Sequence, residues 1–203
     1  MNFTVEDTYG AVSDLMKGMP DVVSGMKHLL EHCGRLCPSS AWTEIAALDL
    51  TGDSAHLKGW LGDLLRTENA GESIAAFWFG IFDESVPEGG AIARLYLAGT
   101  ESYDSNDSNA EWACSPAYFP DGRYADSAVL RSVPRILSKT SEDAAWLGSY
   151  VVPLGYAALV IGDACRQIPL DTLLGDRASR AVVVGFHSGD FITLPPINRV
   201  LST

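Results

Sequence analysis

The middle of the chain reads SIAAFWFGIF at residues 73–82 and AIARLYLA at residues 91–98. The second run alternates in the manner of a β-strand, with two sets of side chains facing opposite sides: Ala93, Leu95 and Leu97 against Arg94 and Tyr96. The segment between the runs, residues 83–90, contains Pro87 and two glycines. Two apolar runs joined by a short turn-rich segment predict a β-hairpin.

On the N-terminal side of this hairpin the apolar residues follow a helical period. The clearest stripe is Leu57, Trp60, Leu61, Leu64 and Leu65, with Asp53 or Ser54 as the predicted N-cap. A short strand is predicted over residues 43–48. On the C-terminal side we predict a helix near residues 125–138 and two closing strands over residues 181–186 and 191–194.

Nineteen residues from Ala144 to Gly162 carry no charge, a length that would suffice for a membrane-spanning helix. Glycines, Pro153 and two tyrosines interrupt this run, and acidic residues flank it on both sides. Because a spanning helix is typically marked by lysine or arginine on one side, we predict a buried helix broken near Pro153 and no membrane contact.

These patterns predict an α+β fold: a single domain over residues 1–203 with a mostly antiparallel sheet and helices packed before and after it. The N-terminal helical part covers residues 1–66 and the sheet-containing part residues 67–203. The chain length of 203 residues and the apolar fraction of 47% are sufficient for a hydrophobic core.

The chain is acidic, with a net charge of −12 that resides entirely in residues 1–112. This charge argues against binding nucleic acid or an anionic membrane, since both would repel the protein. The four cysteines are too few and too scattered for a disulfide framework, and the N-terminus lacks the pattern of a secretory signal. We therefore expect a cytoplasmic location.

Between residues 67 and 112, nine acidic residues accompany Arg94 as the single basic residue. The predicted hairpin brings the start of its first strand close to the end of its second, so several of these acids should gather at one edge. An acidic patch of this kind speeds the encounter with a basic partner. The predicted partner-binding residues are Glu68, Glu72, Glu101, Tyr103, Asp104, Asp107, Glu111 and Trp112. A solvated acidic surface that only maintains solubility is the alternative.

Two segments carry residue types used in catalysis. His28, Glu31 and His32 form an H-x-x-E-H pattern, in which two histidines on one helical face bind zinc and the glutamate is a general base. His187 would face Asp190 across a two-residue turn, either as a cross-strand ion pair or as a contact for a partner. The third zinc ligand has no clear candidate, and no nucleotide-binding motif occurs, so we predict no cofactor and no catalytic residue.

Four blocks of the sequence resemble a family of small bacterial proteins: residues 60–65, 76–83, 111–114 and 184–191. Such families are similar to the immunity proteins of polymorphic or contact-dependent toxin systems. The resemblance implies a non-catalytic cytosolic protein that binds and neutralises a cognate toxin, a nuclease for example, through its acidic surface. The toxin would be basic, and the oligomeric state stays open. The alternative function is a zinc-dependent hydrolase that uses His28, Glu31 and His32.

Overall fold

The computed structural model describes residues 3–85, 91–187 and 189–199. Four helices precede a β-hairpin, three more follow it, and two strands close the chain. A single 3-10 turn, Glu111–Cys114, lies in the loop after the hairpin. The elements are α1 (Val5–Gly18), α2 (Val22–Leu36), α3 (Ala41–Ala46), α4 (Leu50–Thr67), β1 (Ala76–Ser85), β2 (Ala91–Thr100), β3 (Tyr124–Ala125), α5 (Ala128–Leu137), α6 (Glu142–Gln167), α7 (Leu170–Leu174), β4 (Ser179–Phe186) and β5 (Phe191–Asn198).

The five strands form one mixed sheet in the order β3-β2-β1-β4-β5. The predicted hairpin is confirmed: β1 and β2 pair antiparallel, with Ala76 opposite Thr100. Strand β4 lies on the other side of β1 and runs parallel to it, with Ala76 opposite Ala181. The remaining pairs are antiparallel. The predicted α+β fold with a mostly antiparallel sheet is thereby confirmed.

The two faces of the sheet have different surroundings. One face packs against the helices, and its side chains, including Phe77, Phe79 and Leu95, belong to the main hydrophobic core. The other face, here called the open face, carries a second cluster built on Trp78, Tyr96, Ala98 and Val183. The alternation predicted for β2 is confirmed, since Leu95 and Tyr96 belong to the two different clusters.

Helix α6 runs through the centre of the helical layer and contacts four of the five preceding helices, α1, α2, α4 and α5. It is continuous through Pro153, so the predicted break is absent. Close packing holds it in place: a Cβ on Gly155 would lie 2.2 Å from Leu29, and one on Gly25 would lie 2.5 Å from Leu159. Although α6 is long and apolar enough to cross a membrane, 78% of its most apolar window is buried inside the protein.

Two predictions for the N-terminal part were wrong. Residues 43–48 do not form a strand, because Ala41, Trp42 and Ile45 are buried on one side of the short helix α3. Helix α4 begins earlier than predicted, with the Asp49 carboxylate accepting a hydrogen bond from the Gly52 amide as N-cap. Asp53 is therefore inside the helix, where its carboxylate is buried.

Candidate functional site

The hairpin ends meet as the sequence predicted. The Ala75 amide donates to the Thr100 carbonyl over 2.7 Å. This hydrogen bond brings the segments before β1 and after β2 together at the same end of the strands, which is the sheet edge meant below. Glu72 lies just before this point and Glu101 just after it, and both side chains are exposed. Two of the predicted partner-binding residues are thus placed at the same sheet edge.

Glu68 has a structural role at the end of α4. Its carboxylate accepts hydrogen bonds from the backbone amides of Asp121 and Gly122, over 2.6 and 2.9 Å. The Tyr118 hydroxyl donates to its carbonyl over 2.6 Å. Glu68 therefore attaches the loop that precedes β3 to helix α4, and its charge is partly compensated by these amides.

The acidic residues of the loop after β2 shape its backbone. Asp104 accepts from the Asn106 amide over 2.8 Å. Asp107 accepts from the amides of Asn109 and Glu111, over 2.9 and 2.6 Å. These are the short-range bonds by which aspartate stabilises turns. The polar run thus folds onto itself and leads into the 3-10 turn that carries Glu111.

The two aromatic residues among the predicted partner-binding residues, Tyr103 and Trp112, attach this loop to the open face. Trp112 packs edge-on against Trp78 with ring centroids 6.0 Å apart, and Tyr103 packs against Trp112 at 5.0 Å. Both Tyr103 and Trp112 are half-buried. Their rings hold the acidic loop in a fixed position beside the sheet, so the surface that they present to a partner is limited to their exposed edges.

Arginines from the C-terminal half reach the same sheet edge, but they bind backbone carbonyls. Arg177 Nη1 donates to the carbonyl of Glu72 over 2.6 Å. Arg180 donates to three carbonyls and is itself buried. Among the described residues, none of the predicted partner-binding carboxylates has a lysine or arginine within salt-bridge distance. In the described part of the chain these carboxylates are therefore unpaired, although two guanidinium groups lie nearby.

The opposite end of the hairpin also carries acids, but it is partly neutralised. Glu84 pairs with Arg94 at 2.6 Å between Oε2 and Nε. Asp83 is exposed beside it, and Glu88 lies outside the described residues. This end of the hairpin is therefore a weaker candidate for attracting a basic partner.

A concave pocket that the sequence analysis did not predict lies on the open face. Its volume is about 590 Å³. The pocket is lined by the strands, the loop after β2 and the segment before β3. The lining residues include Trp78, Phe82, Tyr96, Cys114, Phe119 and His187. Gly80 makes room for this arrangement, since a Cβ there would lie 2.2 Å from the Tyr96 ring. The sequence did contain one signal of this pocket. Large aromatic side chains occupy alternate positions of β1, and a strand face that only contacts water seldom carries them.

His187 and Asp190 do not form the predicted pair. Gly185 lies opposite Phe191 in the β4–β5 ladder, so the turn is longer than two residues and the two side chains separate. His187 Nδ1 lies 2.9 Å from the Tyr96 hydroxyl on the open face. Asp190 instead accepts a hydrogen bond from the Tyr150 hydroxyl over 2.6 Å, on the side of the helices. The predicted turn residue Ser188 lies outside the described residues.

The H-x-x-E-H segment lies on α2, with His28 exposed and His32 half-buried. Glu31 faces Lys27, 4.0 Å away. Within residues 3–85, 91–187 and 189–199 no group of three or more His, Cys, Asp or Glu side chains could hold a metal ion. A zinc site on these histidines would therefore need ligands from outside the described part of the chain.

His32 should make the stability of the protein sensitive to mild acid. Burial lowers its pKa, with smaller contributions from Arg35 and His28, and its Nε2 is buried without a partner in the described structure. The pKa of His32 is lower in the folded chain than the ordinary value of about 6.5 in the unfolded chain. Below about pH 6.5 the unfolded chain therefore binds a proton more readily than the folded chain, and stability falls as the pH falls. We expect the Tm of the wild type to drop further between pH 7.5 and 5.5 than that of His32→Gln. Equal drops would contradict this role for His32.

No protein-family model, curated protein or solved structure matches this chain significantly.

Proposed function

We propose that this protein is a non-catalytic, cytoplasmic binding protein that neutralises a basic toxin by docking it on an acidic surface. The surface, here called the acidic loop face, consists of Glu72, Glu101, Asp104, Asp107 and Glu111. The toxin would be covered at its substrate-binding cleft, and a nuclease with a cationic cleft is the partner that fits this charge.

One observation carries the proposal: within the described residues, no carboxylate of the acidic loop face forms a salt bridge. Arg177 and Arg180 lie at the same sheet edge, yet their guanidinium groups donate to carbonyl oxygens. Carboxylates that are already paired in the free protein would have little to offer a partner, whereas unpaired ones create a local negative potential. Such a potential raises association rates with a basic protein and orients it before contact.

The rigidity of the loop gives a second argument. Hydrogen bonds from Asp104 and Asp107 fix its turns, and the rings of Tyr103 and Trp112 hold it against Trp78. A surface that is already ordered loses less conformational entropy when a partner binds, so more of the interaction energy appears as affinity.

The proposal is tested by capture followed by a growth assay. The tagged chain is used to recover bound proteins from cells of its source organism, and each recovered protein is then expressed alone and with the chain. We expect one recovered basic protein to arrest growth when it is expressed alone, and the chain to restore growth. If no recovered protein arrests growth, or if the chain does not relieve the arrest, the proposed function is wrong.

Reversing three carboxylates of the acidic loop face should weaken toxin binding without unfolding the protein. Glu72, Glu101 and Glu111 are the suitable positions, because their side chains accept no hydrogen bond in the described structure, unlike Asp104 and Asp107. Each Glu→Lys change replaces an attraction by a repulsion, and three together should raise the Kd about 30-fold, or about 2 kcal/mol. Titration calorimetry at moderate salt measures the affinity, and a thermal melt checks that Tm is preserved.

A further inference from the structure

The pocket on the open face has the size and walls of a small-molecule site. Its volume of about 590 Å³ lies within the range of sites that enclose drug-sized compounds. Trp78, Phe82 and Tyr96 rise from the sheet. At the rim the exposed ring of Phe119 packs against Tyr96 at 6.5 Å between centroids, and that of Tyr124 packs against Phe82 at 5.8 Å. Aromatic rings on several sides favour a planar ligand, which can stack on one ring and meet the edges of others.

The lining carries no formal charge. Among the described residues that line the pocket there is no Asp, Glu, Lys or Arg. The rim already holds one cation behind its rings, since the Arg123 guanidinium lies 4.0 Å from the centroid of Phe119 and 4.7 Å from that of Tyr124. A cationic ligand would find no carboxylate on the described lining, and the guanidinium that an anionic ligand would need is stacked on the rim rings and is not among the described lining residues. An uncharged ligand therefore fits best.

One polar pair offers a directional hydrogen bond. The Tyr96 hydroxyl and His187 Nδ1 lie 2.9 Å apart. Burial raises the pKa of Tyr96, against a smaller lowering by Trp78, so the hydroxyl keeps its proton, and the tautomer of His187 decides which of the two atoms donates. A neutral imidazole that accepts at Nδ1 carries its hydrogen on Nε2. In the described structure this Nε2–H has no acceptor, and His187 is exposed in the pocket wall.

We propose that this pocket binds a small, uncharged aromatic compound that carries one hydroxyl or carbonyl oxygen. The ring system lies against Trp78 and Tyr96, and the oxygen accepts a hydrogen bond from His187. The pocket and the acidic loop face share the loop after β2, but none of the described lining residues belongs to that face.

Cys114 provides a local reporter of binding. Its thiol is exposed and belongs to the pocket wall, whereas Cys37 is half-buried at the end of α2, on the helical side of the protein. We use 2-naphthol and naphthalene as probes and measure the rate at which N-ethylmaleimide modifies each cysteine by peptide mass spectrometry. Saturating 2-naphthol should slow the modification of Cys114 at least 10-fold and leave that of Cys37 unchanged.

A variant distinguishes the contribution of the polar contact to ligand affinity from that of the aromatic walls. His187→Phe keeps a ring but removes the Nε2 donor, so it should weaken 2-naphthol binding about 5-fold to 10-fold, the worth of one hydrogen bond, and leave naphthalene binding unchanged. Ala113→Phe places a ring in the pocket wall and should abolish binding of both probes, with a thermal melt to show that the variant is folded. Titration calorimetry measures each affinity.

A third probe distinguishes the two sources of such a ring. N-acetyltryptophanamide presents an indole on a blocked peptide unit; protection of Cys114 by this probe would show that the ring can come from the side chain of a partner. Protection by 2-naphthol and not by N-acetyltryptophanamide supports the proposed free compound, whereas equal or stronger protection by N-acetyltryptophanamide overturns it, because an indole ring has no oxygen to accept from His187. The proposal is overturned if none of the probes protects Cys114, or if His187→Phe weakens binding of 2-naphthol and naphthalene equally.

Discussion

Asp53→Ala should lower the free energy of unfolding by about 4 kcal/mol. The carboxylate is 7% exposed and accepts three hydrogen bonds from two other helices. Ser127 Oγ and the Ala128 amide donate to it over 2.6 and 2.7 Å, at the start of α5. The Tyr156 hydroxyl in the middle of α6 donates over 2.7 Å. Removing the acceptor leaves the Ser127 and Tyr156 hydroxyls buried without this partner, whereas Ala128 is exposed.

The matched control for this prediction is Asp49→Ala, on the same helix. Asp49 is exposed, and its carboxylate accepts from the Gly52 amide as an ordinary N-cap. Losing such a cap costs about 1 kcal/mol. Denaturation with urea gives both free energies, and Tyr156→Phe removes one of the three donors with an intermediate cost. If Asp53→Ala is no more destabilising than Asp49→Ala, the three-helix junction does not contribute as described.

Arg180→Met should lower the free energy of unfolding by about 3 kcal/mol. The guanidinium is 2% exposed and donates to the carbonyls of Ile74, Leu173 and Gly71, over 2.9, 2.6 and 2.8 Å. It also lies over the Phe77 ring, 4.5 Å from the centroid. Methionine retains much of the apolar stem but leaves the three carbonyls without these donors. Arg180→Lys should restore only part of the loss, because an ammonium group cannot reproduce the planar fork.

Arg177→Met is the control for Arg180. Arg177 donates to the carbonyls of Glu72 and Ser179 in the same region but is half-exposed, so water can replace it. We expect this change to cost less than about 1 kcal/mol. Equal losses for the two arginines would show that burial of the Arg180 guanidinium is not what holds β4 and the segment before β1 together.

The hairpin and the faces of its strands could be predicted because alternation is a local property of the sequence. Local alternation alone predicts that one face of the sheet carries Ala93, Leu95 and Leu97. The parallel pairing of β1 with β4 could not be predicted in this way, since it depends on how α5, α6 and α7 cross the sheet. Pro153 was misleading because packing around α6 outweighs its local cost.

The candidate site was partly predictable for the same reason. Hairpin geometry placed Glu72 and Glu101 together, but the amide partners of Glu68 come from a loop more than fifty residues away. The pocket depends on Tyr96 reaching His187 across 91 positions of the chain, a contact for which the sequence contains no local signal. Asp53 was predicted as a cap because its residue type suits that role, whereas its actual partners lie on α5 and α6.

The central claim is that the position of the charge, and not its total amount, binds the toxin. Two triple variants with the same net charge test it: Glu72→Lys/Glu101→Lys/Glu111→Lys on the acidic loop face, and Asp14→Lys/Glu31→Lys/Glu44→Lys on exposed positions of α1, α2 and α3. At an ionic strength of about 0.15 M, charges beyond about 8 Å are largely screened. Titration calorimetry against the toxin should give a Kd about 30-fold weaker for the first variant and within about 3-fold of the wild type for the second. Equal affinities for the two variants would contradict the account.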